Sequence, residues 1–342
     1  MLDTLILSIA IPTYNRSKSL NMLLQSICQQ IDNNTQNKLE VLIFDNCSED
    51  DTETIAKKFT ASHHYIRYVR NKTNIGSDNN FTKAFWSARG RYLWMIGDDE
   101  LLFDNAIPWI INHCETTVFG CAYLYSIPDS LDKIHQFLHH PIPANIKTTA
   151  YTPWNFAQAV NYRLTFLSAA LINRDAVLTF NPNIAEDIHH FVGSNLVHLT
   201  WVLTAIRSSP QSVMITTPLF ASTIANSSGY NPVKIFIVNL SILFGYYFTA
   251  IKPSAQKFIQ WFTLIGWFPK VIYDVRFTDK YKNTSYQVTL ADFPTDMQQG
   301  LSWMLFNKGV LHGSRWLAFA AMITLKLCHK TIQKWLTIRS IR

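Results

Sequence analysis

The 342-residue chain has no CxxC pair, and its five cysteines, Cys28, Cys47, Cys114, Cys121 and Cys328, are odd in number. That pattern suits neither a disulfide framework nor a structural zinc site, and a reducing compartment fits it better. No GxGxxG, P-loop or GxSxG signature occurs, which weakens dinucleotide oxidoreductase, P-loop nucleotidase and serine hydrolase readings. The start, Met1-Leu2-Asp3-Thr4, shows no basic n-region and no small-residue cleavage site, so no signal peptide is expected. Internal repeats and low-complexity stretches are also missing. Acidic residues stop at Asp296, whereas Lys308, Arg315, Lys326, Lys330, Lys334, Arg339 and Arg342 follow it. The net charge of +7 is therefore a C-terminal property, and it suggests an anionic partner: nucleic acid, a phosphate-bearing substrate or anionic lipid.

What is present is a large apolar fraction, 48% hydrophobic and 13% aromatic, enough for a packed core. Leu5–Pro12 reads as a buried strand, and Leu20, Leu23, Leu24, Ile27, Cys28 and Ile31 then recur at helical spacing, with Asn15 to Ser17 as candidate caps. Leu39–Asp45, Ile66–Arg70, Tyr92–Gly97 and Val118–Tyr125 read as further strands. Between them lie a short helix over Thr52–Phe59 and a helix marked by Phe81, Ala84, Phe85 and Ala88, with Gly90 as its expected closing glycine. Strands alternating with helices imply an α/β fold, a mostly parallel sheet with helices on both faces. In such sheets ligands bind beyond the carboxyl ends of the strands, and the polar clusters sit there.

Gly97-Asp98-Asp99-Glu100 places three adjacent acids at a strand end, an arrangement that is costly unless a cation or solvent compensates. Carboxylates suit Mg2+ or Mn2+, which makes Asp98, Asp99 and Glu100 the candidate metal ligands; a polar loop capping the next helix is the plainer alternative. Asp45, ending the second strand, is placed to accept from a pyrimidine base, while Asp50, Asp51 and Thr52 read better as a helix cap. In Asn74-Ile75-Gly76-Ser77-Asp78, Gly76 permits a turn with φ > 0, and the polar side chains serve either a ribose or the turn itself.

Ile9-Ala10-Ile11-Pro12-Thr13-Tyr14-Asn15-Arg16, the Asp45-Asn46-x-Ser48-x-Asp50-x-Thr52 segment, Asn74-Ile75-Gly76 and Asp98-Asp99, in that order, resemble the family 2 glycosyltransferases with the GT-A fold. The resemblance covers roughly residues 5 to 200 and looks nearest to bacterial O-antigen transferases, including the abequosyltransferase-like subgroup. It implies that Pro12, Thr13, Tyr14, Asn15, Asp45, Asn74, Gly76, Asp78 and Asp98 hold the nucleotide sugar, and that Asp98 and Asp99 hold the metal. Ile96 stands where the family's acidic pattern usually begins. An inverting displacement needs a base for the acceptor hydroxyl; the resemblance points to Asp187 in Glu186-Asp187, with His198 as the competing candidate.

From about residue 220 the composition turns to aromatic and aliphatic segments, which sets an expected division into residues 1–220, catalytic, and 221–342, helical and membrane-associating. Val233–Ile251 is apolar and about as long as a membrane span, and reads as spanning, interfacial or core. The expected protein is a metal-dependent transferase that moves sugar from a UDP- or CDP-sugar to a lipid-linked saccharide in O-antigen or capsule synthesis. It works peripherally at the cytoplasmic face of the inner membrane, where its basic end, with the aromatic residues Trp303, Phe306, Trp316, Phe319 and Trp335, meets anionic lipid. A catalytically silent sugar-nucleotide-binding protein is the alternative. Nucleic-acid binding is disfavoured, because the basic residues lie beside long apolar runs.

Overall fold

A computed structural model describes residues 5–129, 131–137, 139–223, 231–278 and 289–340. The chain forms two compact units, Met1–Pro153 with Phe166–Ile224, and Trp154–Thr165 with Ala225–Arg342. The second unit thus also takes in a short segment from the middle of the chain.

The first unit runs β1 (Leu7–Thr13), α1 (Ser17–Cys28), β2 (Leu39–Asp45), α2 (Thr52–Ser62), β3 (Ile66–Arg70), α3 (Ser77–Ser87), β4 (Tyr92–Met95), β5 (Leu101–Leu102), α4 (Ala106–Thr116), β6 (Cys121–Asp129), α5 (Leu131–Ile134) and β7 (Thr148–Tyr151). After α6 (Pro153–Val160) come β8 (Ala170–Asn173), α7 (Arg174–Phe180), α8 (Ile184–Phe191), α9 (His198–Arg207) and β9 (Ser212–Thr223). The nine strands form one sheet in the order β3-β2-β1-β4-β8-β6-β9-β5, with β7 also paired to β9. Strands β3, β2, β1 and β4 are parallel. From β8 onward the ladders are antiparallel except for β6 with β9, so the sheet is mixed.

Every residue of β1 and β2 is buried, as expected of central parallel strands covered on both faces. Edge strand β3 becomes exposed along its length. Within the buried β2 run sits Glu40, whose carboxylate accepts from the Ser8 hydroxyl at 2.7 Å, Arg67 at 3.0 Å and Arg89 at 2.9 and 3.0 Å, so the buried charge is compensated.

Three local expectations need correction. Gly90 does not close a helix: α3 ends at Ala88 in extended backbone. A Cβ at position 90 would lie 2.6 Å from the Ser8 amide nitrogen, so glycine is needed there for close approach to β1. Asn15 does not cap α1; it takes φ 54°, and its side-chain oxygen accepts from the Glu49 amide. Strand β6 begins at Cys121 and continues to Asp129 because its partner β9 extends that far, with a bulge at Leu124 to Ser126.

In the second unit, Lys234–Asn239 winds as a π-helix into α10 (Leu240–Phe248), followed by α11 (Ala255–Ile265), α12 (Phe268–Phe277), α13 (Gly300–Met304), a second π-helical stretch over Leu305–Leu311, and α14 (Arg315–Ser340). Its core gathers Ile237, Ile265, Phe268, Trp303, Phe306 and Leu325. Most of Val233–Phe248 is buried or half-buried, and among the described residues no helix is long and apolar enough to cross a membrane. Trp303 and Phe306, which the sequence offered for a lipid boundary, are core residues instead.

Candidate active site

The strand order 3-2-1-4 means the chain leaves β1 in one direction toward β2 and returns to its other side as β4. The crevice between the carboxyl ends of β1 and β4 is therefore the point where an open α/β sheet binds ligands. From β1 comes Thr13-Tyr14-Asn15-Arg16, with Thr13 buried and Tyr14 43% exposed. From β4 comes Gly97-Asp98-Asp99-Glu100. One nitrogen of the Arg16 guanidinium joins the two, 3.1 Å from Asp98 and 2.8 Å from Asp99.

The three acids are held differently. Asp98 is buried; burial, and after it the Asp99 charge, raise its pKa to about 6 against the pull of Arg16. Asp99 accepts from the Thr223 hydroxyl at 2.5 Å. Glu100 is buried, and one carboxylate oxygen accepts from the Ser168 hydroxyl at 3.1 Å. Its other oxygen is buried with no hydrogen-bond partner, and burial followed by Asp99 raises its pKa well above the ordinary value. Ser168 also receives the Gly97 amide, and its carbonyl accepts from the Trp94 indole at 2.8 Å. Sequence reading passed over Ser168 and Thr223, because neither belongs to a motif and both reach the cluster through the fold. Asp99 and Glu100 oxygens lie 3.1 and 3.2 Å from where a Gly97 Cβ would sit, so both carboxylates converge over that glycine.

The residues expected to hold the nucleotide follow the ends of β1, β2 and β3. Asp45 is fully buried and accepts from the Ser48 amide at 2.8 Å and the Tyr68 hydroxyl at 2.6 Å, with Arg70 at 3.5 Å. Ser48 in turn accepts from the Asn15 amide at 2.8 Å, which ties the two strand ends together. Asn46 receives the Ile75 amide and Asn71, and donates to Asn74 at 2.7 Å; Asn71 donates to Asn80. Asn74 therefore belongs to an asparagine network that shapes the loop; the sequence showed Asn46 as part of a motif, but its pairing with Asn71 and Asn74 depends on the fold, because asparagines this far apart show no periodicity. Gly76 takes φ 80° with open space around it, so backbone conformation alone asks for glycine. Asp50 lies one residue ahead of Asp51, the N-cap of α2, and its carboxylate accepts from the Thr52 amide and from the Ser17 amide of α1.

Asp78 is buried, and its carboxylate accepts from the amides of Gly193 at 2.8 Å and Asn195 at 3.0 Å. It thereby fastens the loop between α8 and α9 to the first turn of α3. On either side of that loop are the proposed acid–base residues. Asp187 is buried in the first turn of α8 and accepts from the Asn181 side chain at 2.8 Å; Glu186 beside it is exposed. His198 is buried at the start of α9, its ring edge-on to Phe81.

Carboxylate oxygens and a partnerless buried Glu100 oxygen suit a hard divalent cation. As the side chains stand, no group of three or more His, Cys, Asp or Glu among the described residues is disposed around a metal position, and Arg16 already bridges Asp98 and Asp99. The donor chemistry suits such an ion, and the Arg16 bridge occupies the oxygens it would use. A cavity of about 750 Å³ lies elsewhere, near the starts of β1, β2 and β4, lined by Ile6, Lys38, Arg91 and Glu115.

A mixed α/β sheet with acids and polar loops gathered at the switch point is the arrangement of a GT-A fold. Residues 8–172, just under half of the chain, match the model of glycosyl transferase family 2. The UDP-GlcNAc complex of S. aureus TarS, residues 1–349, superposes with a TM-score of 0.58 at 14% identity, covering 95% of this chain and 92% of that one, a likeness of fold. Abequosyltransferase RfbV of Salmonella typhimurium is 36% identical over 104 residues, 30% of this chain and 31% of that protein. A GalNAc(5)-diNAcBac-PP-undecaprenol beta-1,3-glucosyltransferase of Campylobacter jejuni is 27% identical over 118 residues, 33% of this chain and 37% of that protein. The matches thus span about a third of each of these two relatives.

Proposed function

We propose that this chain transfers a sugar from a UDP- or CDP-sugar to a lipid-linked saccharide in bacterial surface polysaccharide synthesis. The observation that carries the reading is the meeting, at the β1–β4 crevice of a family 2 domain, of the Asp98–Asp99 pair, the Arg16 guanidinium and the loops ending β1 and β2. The names of the two relatives, an abequosyltransferase and an undecaprenol-linked glucosyltransferase, support this substrate class.

Tyr14 at the rim offers a face to a pyrimidine base, and Thr13 and Asn15 line the path toward the acids. Asp45 is fully buried and orders this cradle through Ser48, whose hydroxyl accepts from the Asn15 amide. Asp98, Asp99 and Glu100 would hold Mn2+ or Mg2+, which when bound supplies charge compensation to the departing diphosphate. Asp187 takes the acceptor hydroxyl proton as general base. It lies in α8, the helix before the loop that Asp78 pins to α3.

The same reading places the protein peripherally at the cytoplasmic face of the inner membrane. Helix α14 supports it: Trp316 is 82% exposed, and Leu317, Phe319, Ile323 and Leu327 are exposed with it, beside Arg315, Lys326 and Lys330. Exposed apolar side chains among cations, with no acid to repel anionic headgroups, make an interfacial helix.

A nucleotide-sugar screen by thermal shift with Mn2+ tests the donor, followed by release of free nucleoside diphosphate in the presence of lipid-linked saccharide. Stabilisation by UDP- or CDP-sugars together with acceptor-dependent release is expected. Stabilisation without release means a silent binding protein, and stabilisation only by purine nucleotide sugars removes the pyrimidine assignment.

A further inference from the structure

Arg16 occupies an unusual place for a basic side chain. It sits at the end of β1, half-exposed, and a single nitrogen contacts both Asp98 and Asp99. The adjacent Glu100 oxygen is buried and partnerless. Removing Arg16 would leave three converging carboxylates with hydroxyl partners alone, an arrangement that isolated acids do not tolerate. A divalent ion bound to Asp98 and Asp99 would meet the guanidinium at the same oxygens, so the two cations exclude one another.

We propose that Arg16 is the resident counter-cation of the Asp98–Asp99 pair, and that a divalent ion binds only by displacing it. The proposal rests on the metal role given above to Asp98, Asp99 and Glu100. Exchange is sterically open, because the arginine side chain is 49% exposed and can swing out without unpacking the core. It also has a chemical use. Once released, the guanidinium stands at the crevice mouth as a planar, permanently charged fork suited to a phosphate group. Cation binding thus makes an anion-binding side chain available, and a nucleotide that captures Arg16 opens the acid pair to the cation. The two ligands help each other through one side chain, which is reciprocal coupling between adjacent sites.

The competition reduces apparent affinity by the fraction of molecules with Arg16 already out. Mn2+ binding to the full chain without nucleotide, followed by loss of the free-ion EPR signal, measures it directly. Arg16→Ala is expected to bind Mn2+ about tenfold more tightly than the unaltered protein. Arg16→Lys should fall between them, since an ammonium bridges two carboxylates less well. Lys18→Gln removes an exposed charge two residues away and should change affinity by less than about twofold, which separates displacement from a general field effect. Adding Asp99→Asn to Arg16→Ala should remove the gain. In the unaltered protein, Mg2+ should shift the Arg16 Nε–H resonance, a readout independent of whether the alanine variant folds. Mn2+ binding that is unchanged or weaker in folded Arg16→Ala, or an unmoved Arg16 resonance at saturating Mg2+, overturns the exchange alone. Failure of every variant to bind Mn2+, with or without UDP, overturns the metal role and the exchange together.

Discussion

At the end of β2, Asp45 has an amide, a phenol and a guanidinium pointed at one carboxylate. Two strands away, at the end of β4, Asp98 and Asp99 share one half-exposed guanidinium, hydroxyls reach Asp99 and Glu100, and an oxygen of Glu100 has no partner. Both centres are buried acids at strand ends, and the motif reading treated them alike. Their surroundings give them different tasks. A carboxylate whose donors are all protein groups orders the loop around it. A cluster with too few donors keeps unmet demand for positive charge, and that demand is what a ligand can satisfy.

The sharpest way to break this contrast is to neutralise the under-supplied cluster. Asp98→Asn or Asp99→Asn should lower transfer by about a hundredfold to a thousandfold while the melting temperature stays level, because repulsion is relieved as attraction to Arg16 is lost. A large drop in melting temperature would make these acids structural, like Asp45.

Asp187 extends the comparison to a third buried acid, with an asparagine as partner. Asp187→Asn should reduce turnover by about a hundredfold with donor affinity unchanged. If His198→Ala shows that behaviour and Asp187→Asn does not, the histidine takes the role of base.

For the well-supplied centre the expected effect falls on stability. Asp45→Ala should cost about 3 kcal/mol in denaturant unfolding, since it orphans the Tyr68 hydroxyl and the Ser48 amide, and should weaken UDP binding by about tenfold through the disordered cradle. Unchanged stability would mean these donors find other acceptors.

The smallest expected effect comes from a buried base in the second unit. His329 lies 4.3 Å from the Phe262 ring with its Nε2 unpartnered, and burial, then Arg163, lower its pKa from 6.5 to about 4. The folded state therefore binds this proton less readily than the unfolded chain, and stability is lost as pH falls from about 6.5 toward 4. Between pH 7 and pH 5 the melting temperature should fall about 5 °C further than in His329→Phe. Parallel pH profiles for the two proteins would show that the imidazole is already compensated.

Much of this molecule is written locally. Leu39–Asp45 and Ile66–Arg70 are strands to the residue, because fully apolar or half-buried runs bounded by polar loops have few other stable states. The chemical anchors Asp45, Asp98 and Asp99 were visible because acids at strand ends stand out against apolar neighbours. Less legible were features whose cause lies far along the chain. Asp78 looked like a ribose contact or a turn residue, yet its carboxylate serves amides more than a hundred positions away. Trp303 and Phe306 looked interfacial by composition, and burial against α12 and its neighbours makes them core.

By itself the sequence determined the α/β alternation, the strand-end position of the acids and the acid-free basic end, since each depends on residues close together in the chain. Only the tertiary structure decided which acids are satisfied and which are not. That depends on donors such as Tyr68, Ser168, Thr223 and Arg16, which arrive from separate elements and register only when the sheet order brings β1 between β2 and β4. Charge compensation falls off within a few ångströms, so it is a property of proximity in the fold rather than of order in the chain.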